Sequence, residues 1–327
     1  MRAALLQLPG NPFILAYWLR NHAEVWKDEV DELRVFVNGC KDATVLEIDR
    51  RLVEDAGGVF THQAGRLIHG QATQVLLDCC SADEVMLVED DAFVRHAGAV
   101  DYAFAYAEND CVVGSPRGGM SPEVEQAARD KWGPEPMGPD GSYGYGLWPC
   151  FLFGQRKVLA PVLHGFPSRS WKAGETIPGL GRSFDREMTT DTFTVSAFLL
   201  RESADLVYEG QWKELWLRDL PEMQYAAGYD PPWFHAGGLS NEDYFNSGGG
   251  ALGARAGIGG SNEGNDWAHR IWWLRRCVTA NAALHPDLAA HYHRSLDELT
   301  GFCGVEREVE AWGPVEEPWV TWDDGTT

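Results

Sequence analysis

Apolar positions follow two rhythms over the first 115 residues. Short, nearly continuous apolar runs alternate with longer stretches in which apolar residues recur every three or four positions. The runs at 2–8 (RAALLQL), 33–38 (LRVFVN), 58–61, 84–88 (EVMLV) and 111–114 (CVVG) predict strands. EVMLV is unbroken, as expected of a strand covered on both faces in a parallel sheet. Between the runs the spacing predicts helices. One is capped by Asn11 with Pro12 at its first position, and its apolar face runs through Phe13, Ala16, Tyr17 and Leu19 towards Trp26. Others cover 42–56, Gly70 to about Cys80, and 97–108. Regular alternation predicts an α/β fold, a doubly wound and mostly parallel sheet with helices on both faces.

After residue 115 the pattern loosens. Residues 115–147, with GPEPMGPDGSYGYG, predict a long loop. WPCFLFG (148–154) predicts a strand, and 165–190 a second loop that runs into a helix from about Asp191 to Arg201. A Gly-rich stretch spans 237–264. An amphipathic helix comes next at 265–284, with Trp267, Ile271, Leu274 and Val278 on one face. Pro286 opens another, to about Leu299, and the tail from 304 is acidic and aromatic. Three parts are expected: 1–115, 116–262, and a helical extension with its tail at 263–327.

Composition narrows the function classes. At 44% hydrophobic residues the chain can bury a sizeable core. The apolar start is short and broken by Pro9-Gly10, and no run approaches the length of a membrane span, so a cytoplasmic location without membrane contact is expected. Seven cysteines lack any C-x-x-C pair, which predicts reduced thiols and no structural zinc. A formal charge of -22 disfavours a protein that coats DNA or anionic membranes. Gly257-Ile258-Gly259-Gly260 has no strand before it and is not a dinucleotide fingerprint.

The strongest chemical signal is VMLVEDDAFV (85–94), a buried strand running into Glu89-Asp90-Asp91. Open α/β sheets bind ligands at the carboxyl ends of their strands. Clustered carboxylates repel unless a cation neutralises them. Hard divalent ions suit such oxygen ligands and share them with substrate phosphates. The turn is therefore a candidate site for Mn²⁺ or Mg²⁺ carrying a diphosphate.

Strand-Glu-Asp-Asp after about 90 residues of β/α alternation resembles the Asp-x-Asp region, in its Glu-Asp-Asp form, of GT-A-fold nucleotide-sugar-dependent glycosyltransferases. The resemblance spans roughly 2–240. It implies a GT-A-like sheet and a nucleotide-sugar donor, first of all a UDP-sugar. It further implies that Asp91 binds the metal, with Glu89 or Asp90 near the ribose or a metal-bound water. By the same resemblance the loop Gln7 to Asn11, with Pro9, lies where the base is held, and Asn38 ends the second strand on that edge. Arg66, His69 and Gln71 precede or open the helix leading into the acidic strand, where similar enzymes contact the donor. His235, in PPWFHAGGLSN, resembles a late His that completes the metal site, and neutral imidazole is a plausible ligand for Mn²⁺. The usual acid near the end of the first strand is absent at Gln7, which leaves the nucleotide open.

Inverting sugar transfer needs a carboxylate to deprotonate the acceptor hydroxyl. In RSFDREMTTDTFTVSAFLL, Asp191 is the first candidate for this base, with Asp185 and Glu187 as alternatives. Residues 155–186 carry Arg156, Lys157, Arg169, Lys172, Arg182 and Arg186 against Glu175 and Asp185, six cations against two anions. Arg169, Lys172 and Arg182 are therefore candidates to orient an anionic acceptor; a modified DNA base, a protein and a glycan all stay open. Two alternatives compete. A sugar nucleotidyltransferase would need a basic, Gly-rich loop after the first strand, and LPGNPF holds no basic residue. Against a non-catalytic nucleotide- or glycan-binding module stands the presence of the whole set Glu89, Asp90, Asp91, Asp191 and His235.

Overall fold

The computed structural model describes residues 1–107, 111–117, 120–135, 144–163, 169–190, 193–208, 232–235 and 264–311. The first part folds as the alternation predicts. β1 (Arg2–Leu8), α1 (Pro12–Asn21), β2 (Glu32–Asn38), α2 (Ala43–Asp55), β3 (Val59–Gln63), α3 (His69–Cys79) and β4 (Glu84–Glu89) follow in order. Next come β5 (Ala92–Val94), α4 (Ala99–Tyr106), β6 (Cys111–Arg117), α5 (Pro122–Trp132), β7 (Gly146–Gln155) and α6 (Arg156–Leu159). Four short strands, β8 (Arg169–Trp171), β9 (Thr176–Ile177), β10 (Arg182–Ser183) and β11 (Met188–Thr190), precede α7 (Thr194–Leu200), β12 (Asp205–Tyr208) and β13 (Trp233–His235). The chain closes with α8 (Gly264–Ala280), α9 (Pro286–Cys303) and α10 (Glu306–Ala311).

Among the described residues, seven strands make the main sheet in the order β12-β6-β7-β4-β1-β2-β3. All pairings are parallel except those of β7, which runs antiparallel to both β4 and β6. β4, which leads into the acids, therefore lies in the middle. Side chains alternate across the pleat, so Leu6 and Leu8 enter one core and Ala3 and Leu5 the other. The first core is closed by α1, α2, α4, α8 and α9; the second by α3, α6 and α7. This is the expected doubly wound, mostly parallel sheet with a C-terminal helical extension. The extension packs on α1: Arg276 Nε donates to the Tyr17 hydroxyl at 2.8 Å, and Phe13 meets the Tyr292 ring edge-on at 5.2 Å.

Local chemistry explains the entry to α1. The Asn11 side chain accepts from the backbone N–H groups of Phe13 and Ile14 at 3.1 and 3.2 Å, and Pro12 has no donor to leave unsatisfied. Gly10, just before, has φ +98, and a Cβ there would lie 2.7 Å from the Cβ of Cys40. The periodic face expected to reach Trp26 is not one α-helix. α1 stops at Asn21 and continues as a π-helical turn, His22–Trp26.

Two predicted loops also hold regular structure. The loop predicted over 115–147 contains α5. Its apolar face is only Val124, Ala127 and Ala128, too thin to stand out between Gly- and Pro-rich flanks. The loop predicted over 165–190 contains two ribbons, β8 with β11 and β9 with β10. Together with α5 and α7 they enclose a third core around Trp171, Ile177, Met188 and Phe198. Residues 237–263 of the Gly-rich stretch lie outside the described residues. All seven cysteines are free thiols. Among the described residues no helix is long and apolar enough to cross a membrane.

One buried acid sits away from the strand ends. Asp49, between Val45 and Val53 on the inner face of α2, is fully buried, and neither carboxylate oxygen has a hydrogen-bond partner among the described residues. Burial pushes its pKa well above the usual carboxylate range. The folded chain then holds that proton more tightly than the unfolded chain. Stability falls as pH rises from about 4, the unfolded value, towards the raised folded value. His22 acts oppositely: burial lowers its pKa to about 4, so its contribution grows with pH up to the unfolded value of 6.5. Asp49→Asn removes the first effect and leaves the second. Urea midpoints compared at about pH 5 and about pH 8 should show the wild type losing stability relative to Asp49→Asn as pH rises; parallel behaviour of the two would mean that Asp49 does not titrate in this way.

Candidate active site

β1, β2 and β4 are parallel, so their carboxyl ends form one edge. In register, Gln7 lies between Phe36 of β2 and Glu89 of β4. The Gln7 Oε1 is buried and has no hydrogen-bond partner among the described residues. Asn38 ends β2, and its amide grips the next loop: Oδ1 accepts from Leu67 N–H at 2.8 Å, and Nδ2 donates to the Leu67 carbonyl at 2.9 Å. Gly39, at φ +98, lets the backbone of Arg66 approach; a Cβ would lie 3.1 Å from the Cβ of Arg66. Arg66 and Gln71 are exposed on this rim, and Pro9 is half-buried. His69 opens α3 with its Nε2 3.6 Å from Glu89 Oε1. Asn11 and Asn38 thus bear on the edge through backbone they fix, while Gln7 and His69 are half-buried and Arg66 and Gln71 exposed.

The acidic turn is deeply set. Asp90 and Asp91 are 0% and 1% exposed, while Glu89 is half-buried. The chain then enters β5, which pairs antiparallel with β13 so that His235 lies opposite Ala92. More than 140 residues separate His235 from Asp91 in sequence, yet the ladder brings their backbones within one residue of each other. The His235 side chain is outside the described residues. Among the described residues no group of three or more His, Cys, Asp or Glu side chains forms a closed metal cage. Mn²⁺ and Mg²⁺ do not need one: two carboxylates with waters and substrate phosphates suffice. Adjacent buried carboxylates at a strand end are donors of the kind these hard ions take.

Asp191 falls outside the described residues, but its flanks are fixed. Thr190 ends β11 opposite Arg169, and its hydroxyl accepts from Trp171 Nε1 at 2.8 Å. Phe193 follows with φ 63, the one non-glycine residue among those described that has a left-handed backbone. Its buried ring meets His69 edge-on at 5.3 Å. Phe193 thus stands one aromatic contact from His69, which itself lies beside Glu89. Asp185 and Glu187 are exposed on the connection into β11.

The basic segment is less free than its composition suggests. Arg182 lies 3.5 Å from Asp130 of α5 and over the Phe184 ring, and Arg186 pairs with Glu123. Lys172 is exposed. The Arg169 backbone sits in β8 opposite Thr190, next to Asp191, and its side chain is outside the described residues. Two residues of this region carry no signature in the sequence. Phe193 gives no sign of its left-handed backbone. Asn21 closes α1 as an ordinary polar residue, yet its amide bonds to Val94 of β5.

No protein-family model matches the chain, and no curated protein matches it. Solved structures do. Glucosyl-3-phosphoglycerate synthase from Mycobacterium tuberculosis, in complex with Mn²⁺ and UDP-glucose, is 17% identical over 49% of this chain and 57% of its own, with a TM-score of 0.37. The chain thus spans little more than half of that protein's length. The mannosyltransferase PcManGT from Pyrobaculum calidifontis, in complex with GDP-Man and Mn²⁺, is 10% identical over 97% of this chain and 76% of its own, with a TM-score of 0.44. Likenesses this distant carry no statement about activity, which has to be argued from the residues.

The left-handed turn beside Asp191 makes a specific prediction. Phe193→Ala and Phe193→Gly both lose the buried ring and should both be destabilised, by about 3–5 kcal/mol for the alanine variant. Glycine adopts positive φ without a Cβ clash, so Phe193→Gly should be the more stable by about 1 kcal/mol, the reverse of the usual order. Equal or inverted stabilities in urea denaturation would remove the strain at this position.

Proposed function

We propose that the chain is a divalent-metal-dependent glycosyltransferase that moves a sugar from a nucleotide-sugar donor, first of all a UDP-sugar, to a hydroxyl acceptor. The observation that supports it best is the β5–β13 register, which joins a distant His235 to the buried Asp90-Asp91 turn at the carboxyl edge of a parallel sheet. In this reading Asp91 and His235 hold Mn²⁺ or Mg²⁺. When bound, the ion neutralises the donor diphosphate and the charge gathering on the leaving nucleoside diphosphate. Glu89 and Asp90 orient a ribose hydroxyl or a metal-bound water, with His69 holding Glu89. Arg66 and Gln71 contact the donor from the rim, and the Gln7–Asn11 loop with Asn38 shapes the base end.

On the acceptor side Asp191 is the base. As the acceptor oxygen bonds to the anomeric carbon, the sugar–phosphate C–O bond breaks and the hydroxyl proton passes to the Asp191 carboxylate. Asp185 and Glu187 are the alternatives. Arg169 and Lys172 orient the acceptor, Arg182 being turned towards Asp130. The three parts then divide the work: 1–115 holds the donor, 116–262 supplies the base and the acceptor face, and 263–327 is the helical extension. The free thiols fit a reducing, cytoplasmic setting.

The test is Mn²⁺-dependent binding of UDP and GDP, followed by nucleotide release from their sugars. Asp91→Ala should abolish metal-dependent nucleotide binding and leave the melting temperature unchanged or raised, because it relieves carboxylate repulsion. His235→Ala should weaken binding less, since imidazole brings no formal charge to a hard cation. Unaltered Mn²⁺-dependent affinity in Asp91→Ala would sink the metal assignment. Asp191→Asn should lower turnover about 100- to 10,000-fold with donor affinity nearly intact. Collapse of donor affinity instead would make Asp191 a binding residue.

A further inference from the structure

β5 is only three residues long, and it must fix the acidic turn that precedes it. One of its edges is occupied by β13. Arg95 N–H donates to the Pro232 carbonyl at 2.9 Å, which sets the parity of that ladder. Alternate residues of an antiparallel pair turn their backbone groups towards and away from the partner. With Arg95 bonded to β13, Val94 faces Trp233 as a non-hydrogen-bonded pair, and its N–H and C=O turn away.

Both groups are taken by one side chain. Asn21 Oδ1 accepts from Val94 N–H at 3.1 Å, and Asn21 Nδ2 donates to the Val94 carbonyl at 2.8 Å. A side-chain amide carries the same donor and acceptor as a peptide group, so Asn21 stands in for a strand residue on the open edge of β5. The amide is itself held. Asn21 is 1% exposed, and its Oδ1 also accepts from Trp26 Nε1 at 3.2 Å. That indole comes from the π-helical turn His22–Trp26 directly after Asn21, a wider turn of the kind often found at functional places. Trp26 is in turn packed edge-on against Trp18 and His22, at 5.4 and 4.5 Å.

We propose that Asn21 is a positioning residue of the candidate metal site: by gripping Val94 it sets the backbone of β5, and through it the place of Asp91 relative to His235. The identity of the bound ion rests on the glycosyltransferase reading; the clamp does not. Removing a group that orients metal ligands from behind costs about 10- to 100-fold in metal affinity, without removing a ligand. The effect should therefore appear as a metal requirement and be overcome by more metal.

The experiment compares Asn21→Asp with the wild type and with Val53→Ala, a fully buried truncation in the same core on α2. Asn21→Asp keeps the size and both acceptor roles but sets a carboxylate oxygen against the Val94 carbonyl. Trp26→Phe is the second variant: it keeps Asn21 and removes the indole N–H that orients it, together with part of a buried ring. Hydrogen exchange over residues 90–95 reports the clamp, and the Mn²⁺ concentration at half-maximal UDP binding reports the site. Asn21→Asp should speed exchange in 90–95 beyond what Val53→Ala does at matched global stability. It should raise the Mn²⁺ midpoint about 10- to 100-fold, with UDP affinity at saturating Mn²⁺ within about threefold of wild type. Trp26→Phe should shift both the same way, by less. Exchange and midpoints that follow Val53→Ala, in either variant that folds, would overturn the proposal and leave Asn21 a stability residue. A wild-type chain that binds neither UDP nor GDP with Mn²⁺ would overturn the glycosyltransferase reading instead, while the exchange contrast still decides whether Asn21 holds the turn.

Discussion

Two adjacent carboxylates, Asp90 and Asp91, are buried at the end of the central strand, and much of the surrounding architecture serves to keep them there. Taking a carboxylate out of water costs several kcal/mol even after relaxation, so the position is tenable only where local structure compensates. The middle of a parallel sheet offers an edge at which several strands end together, with loops and a helix start gathered over it. Glu89 spans the two environments, ending β4 beside Gln7 while its carboxylate reaches His69.

The strand directly after the acids is supported as heavily as the acids are buried. β5 is fixed by β13 on one edge and by Asn21 on the other. Its central residue, Phe93, stacks on Trp273 of α8 at 5.7 Å and meets Tyr17 of α1 edge-on at 5.6 Å. Tyr17 and Trp273 also meet edge-on at 6.0 Å. Each such aromatic contact contributes about 0.5–1.5 kcal/mol beyond simple burial. The C-terminal extension therefore does more than close a core. Through Trp273 it backs the strand that carries the acidic turn, which ties a stretch with no evident chemistry of its own to the geometry of the site.

Much of this was legible in the sequence, and the reasons differ by region. β1 to β4, α2, α3 and the start of α1 are within a residue or two of expectation, because local signals there agree with burial: Asn11 and Pro12 start a helix, and EVMLV is apolar on both faces. The acidic turn stood out because three carboxylates in a row follow directly on an apolar run. α5 and the two ribbons were missed because they enclose a small core, and a small core needs few apolar residues. His235 could be suspected as a residue type, but its pairing with Ala92 is a long-range contact that no local pattern encodes. Asn21 was invisible for a related reason. A buried asparagine acting as a strand surrogate looks, in sequence, like any polar residue at a helix end.

The acceptor side turns on where the cations go. Composition marks 155–186 as a basic island in a chain of net charge -22, which by itself would suit an anionic polymer. The structure engages part of that charge internally. Arg186 reaches Glu123 and Arg182 reaches Asp130, both on α5, so these residues fasten the ribbon layer to its helix. Exposed pairs of this kind contribute little stability, but they cancel the local field that would draw a polyanion. Of the three acceptor candidates, Arg169 opposite Thr190 and the exposed Lys172 then remain, both on or beside β8 and close in the chain to each other. A pair of cations beside a candidate base is enough to orient one anionic group. It is too few for a footprint along a nucleic-acid backbone, where binding strength scales with the number of phosphates neutralised.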